Sequence, residues 1–316
     1  MRRLALLSVA AAAAVAAPLL AQNAKLPQPP PIDPAAASPE TLGLGFEASK
    51  RMTVPVSIGA SGPYPFIIDT GAERTVVSSE LAGSLNLAAG RRVRVTTMAG
   101  QSELRTFLLP ALQVSMVKPD TLEAPAVSAA NLGAPGMLGI DALKGHAVSI
   151  DFDRNQMEVR PATKRRAAVG PDDIVIRAKN LYGQLIVTNA TYRGRRIAVV
   201  IDTGSPVTVG NLALLKRVRT EKSLGQIGLL AVTGQWLQAD YRVIDSLEIA
   251  KIGFHSVPIA FADALPFKRF GLMDTPALML GMDTLKLFRR VHIDFANREI
   301  RLTLPKSAIV DRTRFD

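Results

Sequence analysis

The chain has 316 residues, 48% apolar and 21% charged, enough length for two ordinary domains and enough apolar side chain to give each a core. Cysteine is absent, which excludes disulfides, thiol nucleophiles, cysteine-ligated zinc and a lipidated N-terminal cysteine. The formal charge of +11 is scattered over short basic runs, and only four Tyr and one Trp accompany it. That pattern argues against nucleic-acid binding and for solvated surface charge, with weak association to an anionic envelope surface as the alternative.

Taken in order, residues 1–21 read as a secretory signal. Arg2 and Arg3 give the positive start, Leu4 to Leu20 is apolar and Ala-rich, and Ala21 is small enough for cleavage before Gln22. A stretch this short and this rich in Ala is a poor membrane anchor. A periplasmic or secreted location is expected. Residues 22–40 are crowded with proline and predict an extended, semi-rigid tether.

A first lobe is expected over 41–163. Met52 to Ile58 alternates as a half-buried strand should, and Pro55 within it predicts an edge position or a bulge. Turn residues Gly59 to Pro63 lead into an apolar run that ends on Asp69. Ser79 to Leu87 predicts a short helix or turn. Met98 to Gln101 predicts the tip of a hairpin between Arg92–Thr97 and Glu103–Leu108. After a basic linker at 164–171, a second lobe over 172–306 repeats this order, with 307–316 as a tail. Its hairpin ends on Asp202, a short helix falls near Leu212 to Arg217, and a second tip falls within Leu229 to Trp236.

Two segments carry the chemistry. Phe66-Ile67-Ile68-Asp69-Thr70-Gly71 and Val199-Val200-Ile201-Asp202-Thr203-Gly204 each run an apolar strand into one carboxylate, followed at once by Thr-Gly. Glycine there permits a sharp turn and lets another chain approach the backbone. A buried, unpaired carboxylate is costly, but two that face each other share a proton, which is a catalytic device. Later blocks also match: Met137-Leu138-Gly139-Ile140-Asp141 with Met279-Leu280-Gly281-Met282-Asp283, and Val148 to Phe152 with Val291 to Phe295. Gly139 follows Asp69 by 70 residues (139 − 69), and Gly281 follows Asp202 by 79 (281 − 202). Internal duplication explains this order, and short alternating strands with Gly/Pro turns make the chain mostly β.

On these motifs the sequence resembles the retropepsin-like aspartic proteases, in particular the bacterial aspartyl protease family proteins, over roughly residues 45 to 305. The resemblance implies an internally duplicated, pseudo-twofold, two-lobed acid-protease fold. Catalytic Asp69 and Asp202 would meet at its centre. Thr70, Gly71, Thr203 and Gly204 would support them, with the threonines hydrogen-bonded across the axis. Hairpins around Gly100 and Gly234, the second carrying Trp236, would be flaps over a peptide or protein substrate. Where retroviral members carry Arg after the later glycine, this chain has Ile140 and Met282, and Arg74 is the candidate substitute cation.

The expected activity is peptide-bond hydrolysis by a water activated between the two acids, with no metal and no cofactor, in a monomer whose own lobes pair. Alternatives are a non-catalytic peptide-binding or scaffold protein of the envelope, and a homodimer pairing each lobe with its twin. His146, His255 and His292 lack zinc-ligand spacing. Asp141 and Asp283 read as structural, bonded to backbone at a turn, and Asp151 and Asp294 as strand or turn residues at the surface.

Overall fold

A computed structural model describes residues 41–43, 45–46, 52–114, 121–163, 169–170, 172–181, 184–218, 221–250 and 252–305. The expected signal, the tether and the tail lie outside the described residues.

Each lobe is organised around the strand that delivers its acid. In the first, Met52–Ile58 and Ser61–Ile68 form an antiparallel hairpin. Strand Gly136–Leu138 then runs parallel to the end of Ser61–Ile68, in the register Phe66↔Gly136, Ile67↔Met137, Ile68↔Leu138. On its other side it pairs antiparallel with Val76–Ser78. It is thus threaded between the strand before the acid and the strand after it. The second lobe repeats the device: Ala277–Leu280 lies between Arg195–Ile201, parallel with Ile201↔Leu280, and Val209–Gly210. A strand covered on both faces has no polar side, which is why Phe66-Ile67-Ile68 and Val199-Val200-Ile201 are continuous apolar runs, all six buried.

Pro55 meets the first expectation, an edge position, and the irregularity of its hairpin falls just beyond it. Met52–Ile58 pairs along one side with Ser61–Ile68, with a register shift between Val56 and Ile58. On the other side it meets Gly45–Phe46 only at Met52 and Thr53, and Leu112–Gln113 only at Ser57 and Ile58. Pro55 stands in the gap between those partners, where the missing N–H costs no ladder bond.

The repeated Val-x-Ile-Asp-Phe blocks do something the repeat alone did not reveal: they pair with each other. His146–Asp151 is antiparallel to Arg290–Asp294 with Ser149↔His292. Gln156–Pro161 flanks one side, and Glu299–Thr303 then Asp173–Leu181 the other. This sheet ties the lobes together across the pseudo-twofold. Ser149 and His292 are equivalent positions of the two repeats, and the serine Oγ lies 2.6 Å from His292 Nδ1 on that axis. Val148, Ile150, Val291 and Ile293 bury one face of the pair. Asp151 pairs with Arg290 at 2.6 Å, and Asp294 accepts from Asn297 N at the following turn. The chain is mostly β, two-lobed and internally duplicated, as expected.

Candidate active site

The threaded strands fix where each acid emerges. Asp69 N donates to Leu138 O at 2.9 Å, and Asp202 N to Leu280 O at 3.0 Å. Beyond them the chain must pass beneath the acid loop, and only glycine fits. A Cβ on Gly139 would lie 2.4 Å from the Arg74 carbonyl carbon, and one on Gly281 2.4 Å from that of Val207. The next amides then hold the loops: Ile140 N donates to Ala72 O and Met282 N to Ser205 O, at 3.0 and 2.9 Å.

Asp141 and Asp283 are structural, as read. Asp141 Oδ1 accepts from Thr75 N at 2.8 Å and Thr75 Oγ1 at 2.7 Å, and Gly139 N donates to the same threonine hydroxyl. Burial is the main cause holding Asp141 above its ordinary pKa, against these bonds and the Arg74 charge. Arg74, the candidate cation, is exposed, and its charge is the least of the causes that lower Asp141. In the second lobe Asp283 accepts from Thr208 N and Oγ1 at 2.9 and 2.7 Å, and from Thr284 N at 2.7 Å. Asp283→Asn turns an NH₂ toward one of these donors. We expect it to cost about 2–3 kcal/mol, read as a lowered urea midpoint at unchanged m-value. An unchanged midpoint would mean that the Asp283 bonds do not hold the loop.

The two acid loops grip each other. Thr70 N donates to Thr203 Oγ1 at 3.0 Å, and Thr203 N to Thr70 Oγ1 at 3.1 Å. Each hydroxyl donates onward across the axis, Thr70 Oγ1 to Ile201 O at 3.0 Å and Thr203 Oγ1 to Ile68 O at 2.8 Å. Both threonines are buried. Within each loop the backbone cradles the carboxylate: Gly71 N and Ala72 N donate to Asp69 Oδ1 at 2.7 and 3.0 Å, and Gly204 N and Ser205 N to Asp202 Oδ1 at 3.0 and 3.2 Å.

Each glycine also makes room for the opposite acid. A Cβ on Gly204 would stand 2.1 Å from Asp69 Cγ, and one on Gly71 2.8 Å from Asp202 Oδ1. The two carboxyls hydrogen-bond to one another. Burial first, and then the facing Asp69 charge, push Asp202 well above its ordinary value, against the Gly204 and Ser205 amides. The pair is unequal, since Asp202 is buried and Asp69 half-buried.

Gly100 and Gly234 sit on hairpin tips. The first joins Ala89–Thr96 to Gln101–Leu109 and closes with Thr97 N donating to Gly100 O. The second joins Ser223–Leu230 to Trp236–Ile244 and closes with Ala231 N donating to Gln235 O. The tips meet: the Gln235 side chain lies where a Cβ of Gly100 would be, and the Thr97 and Thr233 hydroxyls are 3.5 Å apart. Each tip also packs on the opposite lobe. Met98 lies against the second-lobe cluster around Val200 and Met279, and Val232 against the first-lobe cluster around Ile67 and Met137. Trp236 is on the outer face of its hairpin, opposite Leu237, and 66% exposed with its ring over Gly228. Sequence reasoning put Met98, Val232 and Gln235 on the tips but not against each other or the opposite lobe, because tip side chains obey no periodicity that names their partner.

Two lobes that each present one carboxylate at the end of a threaded strand, locked by reciprocal threonines, define the retropepsin-like acid-protease class. Comparison with family models agrees. Residues 54–145 match the model described as "gag-polyprotein putative aspartyl protease", and residues 188–284 the model described as "Aspartyl protease". The chain belongs to the aspartyl protease family, with two such domains in tandem. No curated protein matches it in sequence.

Proposed function

We propose that the chain is an aspartic endopeptidase that hydrolyses peptide bonds with a water held between Asp69 and Asp202. It works as a monomer, because one chain supplies both acids. The observation that carries this reading is the reciprocal Thr70–Thr203 bonding, which brings two carboxyls from distant parts of the chain into contact. Like charges this close do not both ionise easily, so the pair retains one proton. Burial favours Asp202 as its holder and half-exposed Asp69 as the ionised partner.

Asp69 takes a proton from the water as its oxygen attacks the carbonyl carbon, and Asp202 gives its proton to the carbonyl oxygen. The tetrahedral diol then collapses. One hydroxyl returns its proton to Asp202, the amine leaves with the proton held on Asp69, and the C–N bond breaks. Partly buried apolar side chains extend the core behind each acid, Ala72 and Leu104 on the cluster around Ile67 in the first lobe, Val207 and Leu237 on that around Val200 in the second. They favour apolar residues on either side of the scissile bond. The signal-like residues 1–21 support a site of action in the periplasm or outside the cell.

Digestion of a peptide library across pH tests this. Cleavage is expected on the acid side of neutral, lost as pH rises through the elevated Asp202 pKa, because the second ionisation removes the general acid. Sedimentation is expected to give the mass of one chain under the conditions of cleavage. No cleavage at any pH, or activity confined to a dimer, would overturn the reading.

A further inference from the structure

The lobes differ in length ahead of the later glycine. Ala126, the next-to-last residue of the strand Leu122–Val127, has its structural counterpart in Phe261: Val77 pairs with Ala126, and its equivalent Gly210 with Phe261. From there to the later glycine is 13 residues in the first lobe (139 − 126) and 20 in the second (281 − 261). Most of the excess spacing therefore lies here: the first lobe has the helix Ala129–Leu132 at this place, and the second has the helix Leu265–Arg269 with a longer turn after it.

This segment is anchored inward and reaches outward. Ala264, Phe267 and Phe270 are buried in the second-lobe cluster. The Asn211 amide spends both its donors on it, Nδ2 to Leu272 O and Thr275 O at 2.7 Å each. The equivalent first-lobe residue is Ser78, which caps its helix through Leu81 N and is too short to do more. Outward, Leu265 N donates to Met98 O on the first tip at 3.2 Å. Arg269 grips Glu73, in the first acid loop, with Nε to Oε1 at 2.6 Å and Nη2 to Oε2 at 2.7 Å. The position equivalent to Glu73 in the second loop is Pro206, which has no such group.

As a stability device this pair is weak, because its side chains are 45% and 34% exposed, and such pairs contribute about 0–1 kcal/mol. Its bidentate geometry fixes position instead. With the Leu265–Met98 bond it ties this one segment both to the first tip and to the loop beside Asp69, and so to the edge of the space between them, while Pro206 has no side chain that could make the matching pair.

We propose that Ala264–Thr275 is a strap latched by Glu73–Arg269, which closes one end of the substrate cleft and makes recognition one-sided. Residues beyond the scissile bond are read on the Pro206 side and excluded on the Glu73 side. This rests on the peptidase reading above. The probe is a nested series of synthetic peptides with one apolar scissile pair, lengthened stepwise on the amino or the carboxy side.

In the wild-type chain, lengthening on one side raises kcat/KM stepwise, while the other side gains less than about twofold. Glu73→Ala and Arg269→Ala each open the closed side, where added residues now gain about tenfold. The charge swap Glu73→Arg with Arg269→Glu restores one-sidedness. Raising salt on the wild-type chain, which screens an exposed pair, opens the same side without any substitution. Equal gains from both sides in the wild type, or one-sidedness that persists in both single variants and in high salt, would overturn the strap. Titrating the same peptides onto the full Asp202→Asn chain by calorimetry separates the two claims. One-sided binding there, with no hydrolysis by the wild type, keeps the strap and sinks the peptidase.

Discussion

Asp202→Asn is expected to abolish the proposed peptide hydrolysis and to make the chain more resistant to heat at neutral pH. The first effect follows from the shared proton. An amide neither ionises nor donates an acidic proton, so the variant loses general acid–base chemistry, by about 10³-fold in kcat. Asp69→Asn loses it equally, because neither carboxyl works without its partner. The second effect is specific to burial. Asp202 is pushed above its ordinary value of 3.8 by desolvation and by Asp69. The folded chain therefore holds a proton that the unfolded chain has released. Below the unfolded value this group costs nothing; as pH climbs from there toward the folded pKa, stability is lost, by about 1.4 kcal/mol per unit of elevation. Asn titrates nowhere and avoids that loss. Calorimetric melts of wild type and variant should converge near pH 3 and separate as pH rises, with the variant higher by roughly 2–4 °C for each kcal/mol. A variant that melts lower at neutral pH would mean that Asp202 is not under electrostatic load.

How far the sequence reaches can be judged residue by residue. Asp69 and Asp202 were legible because each ends an apolar run with nothing polar to satisfy it, and because the pattern occurs twice. Asp141 and Asp283 were legible as structural because each follows a glycine beneath a loop. The self-pairing of the Val-x-Ile-Asp-Phe blocks was not, since a repeat shows that two segments are alike but not that they touch. Trp236 was expected on a flap hairpin, and the structure puts it on that hairpin's outer face. The period of two along a strand fixes which residues share a face, but which face turns inward depends on Leu229 and Leu237 finding the second-lobe core. Glu73 and Arg269 are 196 residues apart, and only the longer acid-to-glycine spacing in the second lobe hinted at the segment that joins them.

Thr70→Val is expected to destabilise the chain far more than Thr70→Ser, although valine is the closer match in shape and the more apolar. Thr70 is 3% exposed and its hydroxyl has two duties, accepting from Thr203 N and donating to Ile201 O. Valine fills the same space and leaves both groups buried without a partner, at about 1–3 kcal/mol each. Serine keeps both bonds and loses one methyl, about 1 kcal/mol. Thr203 carries the mirror-image duties toward Thr70 N and Ile68 O, so Thr203→Val should cost about as much and Thr203→Ser as little. Urea titration of the four variants gives the order. If hydrophobic fill governed the site, valine would equal or exceed serine, and the grip would be incidental. Activity adds a second reading of the same contact. Each acid follows directly from a carbonyl that the opposite threonine holds, Ile68 before Asp69 and Ile201 before Asp202, so a loosened threonine shifts one carboxyl against the other. The valine variants should therefore lose kcat at temperatures where they remain folded, while the serine variants keep it. The double variant Thr70→Val with Thr203→Val should cost less than the sum of the two singles, because once one side of the axis has let go, the other no longer holds a fixed partner.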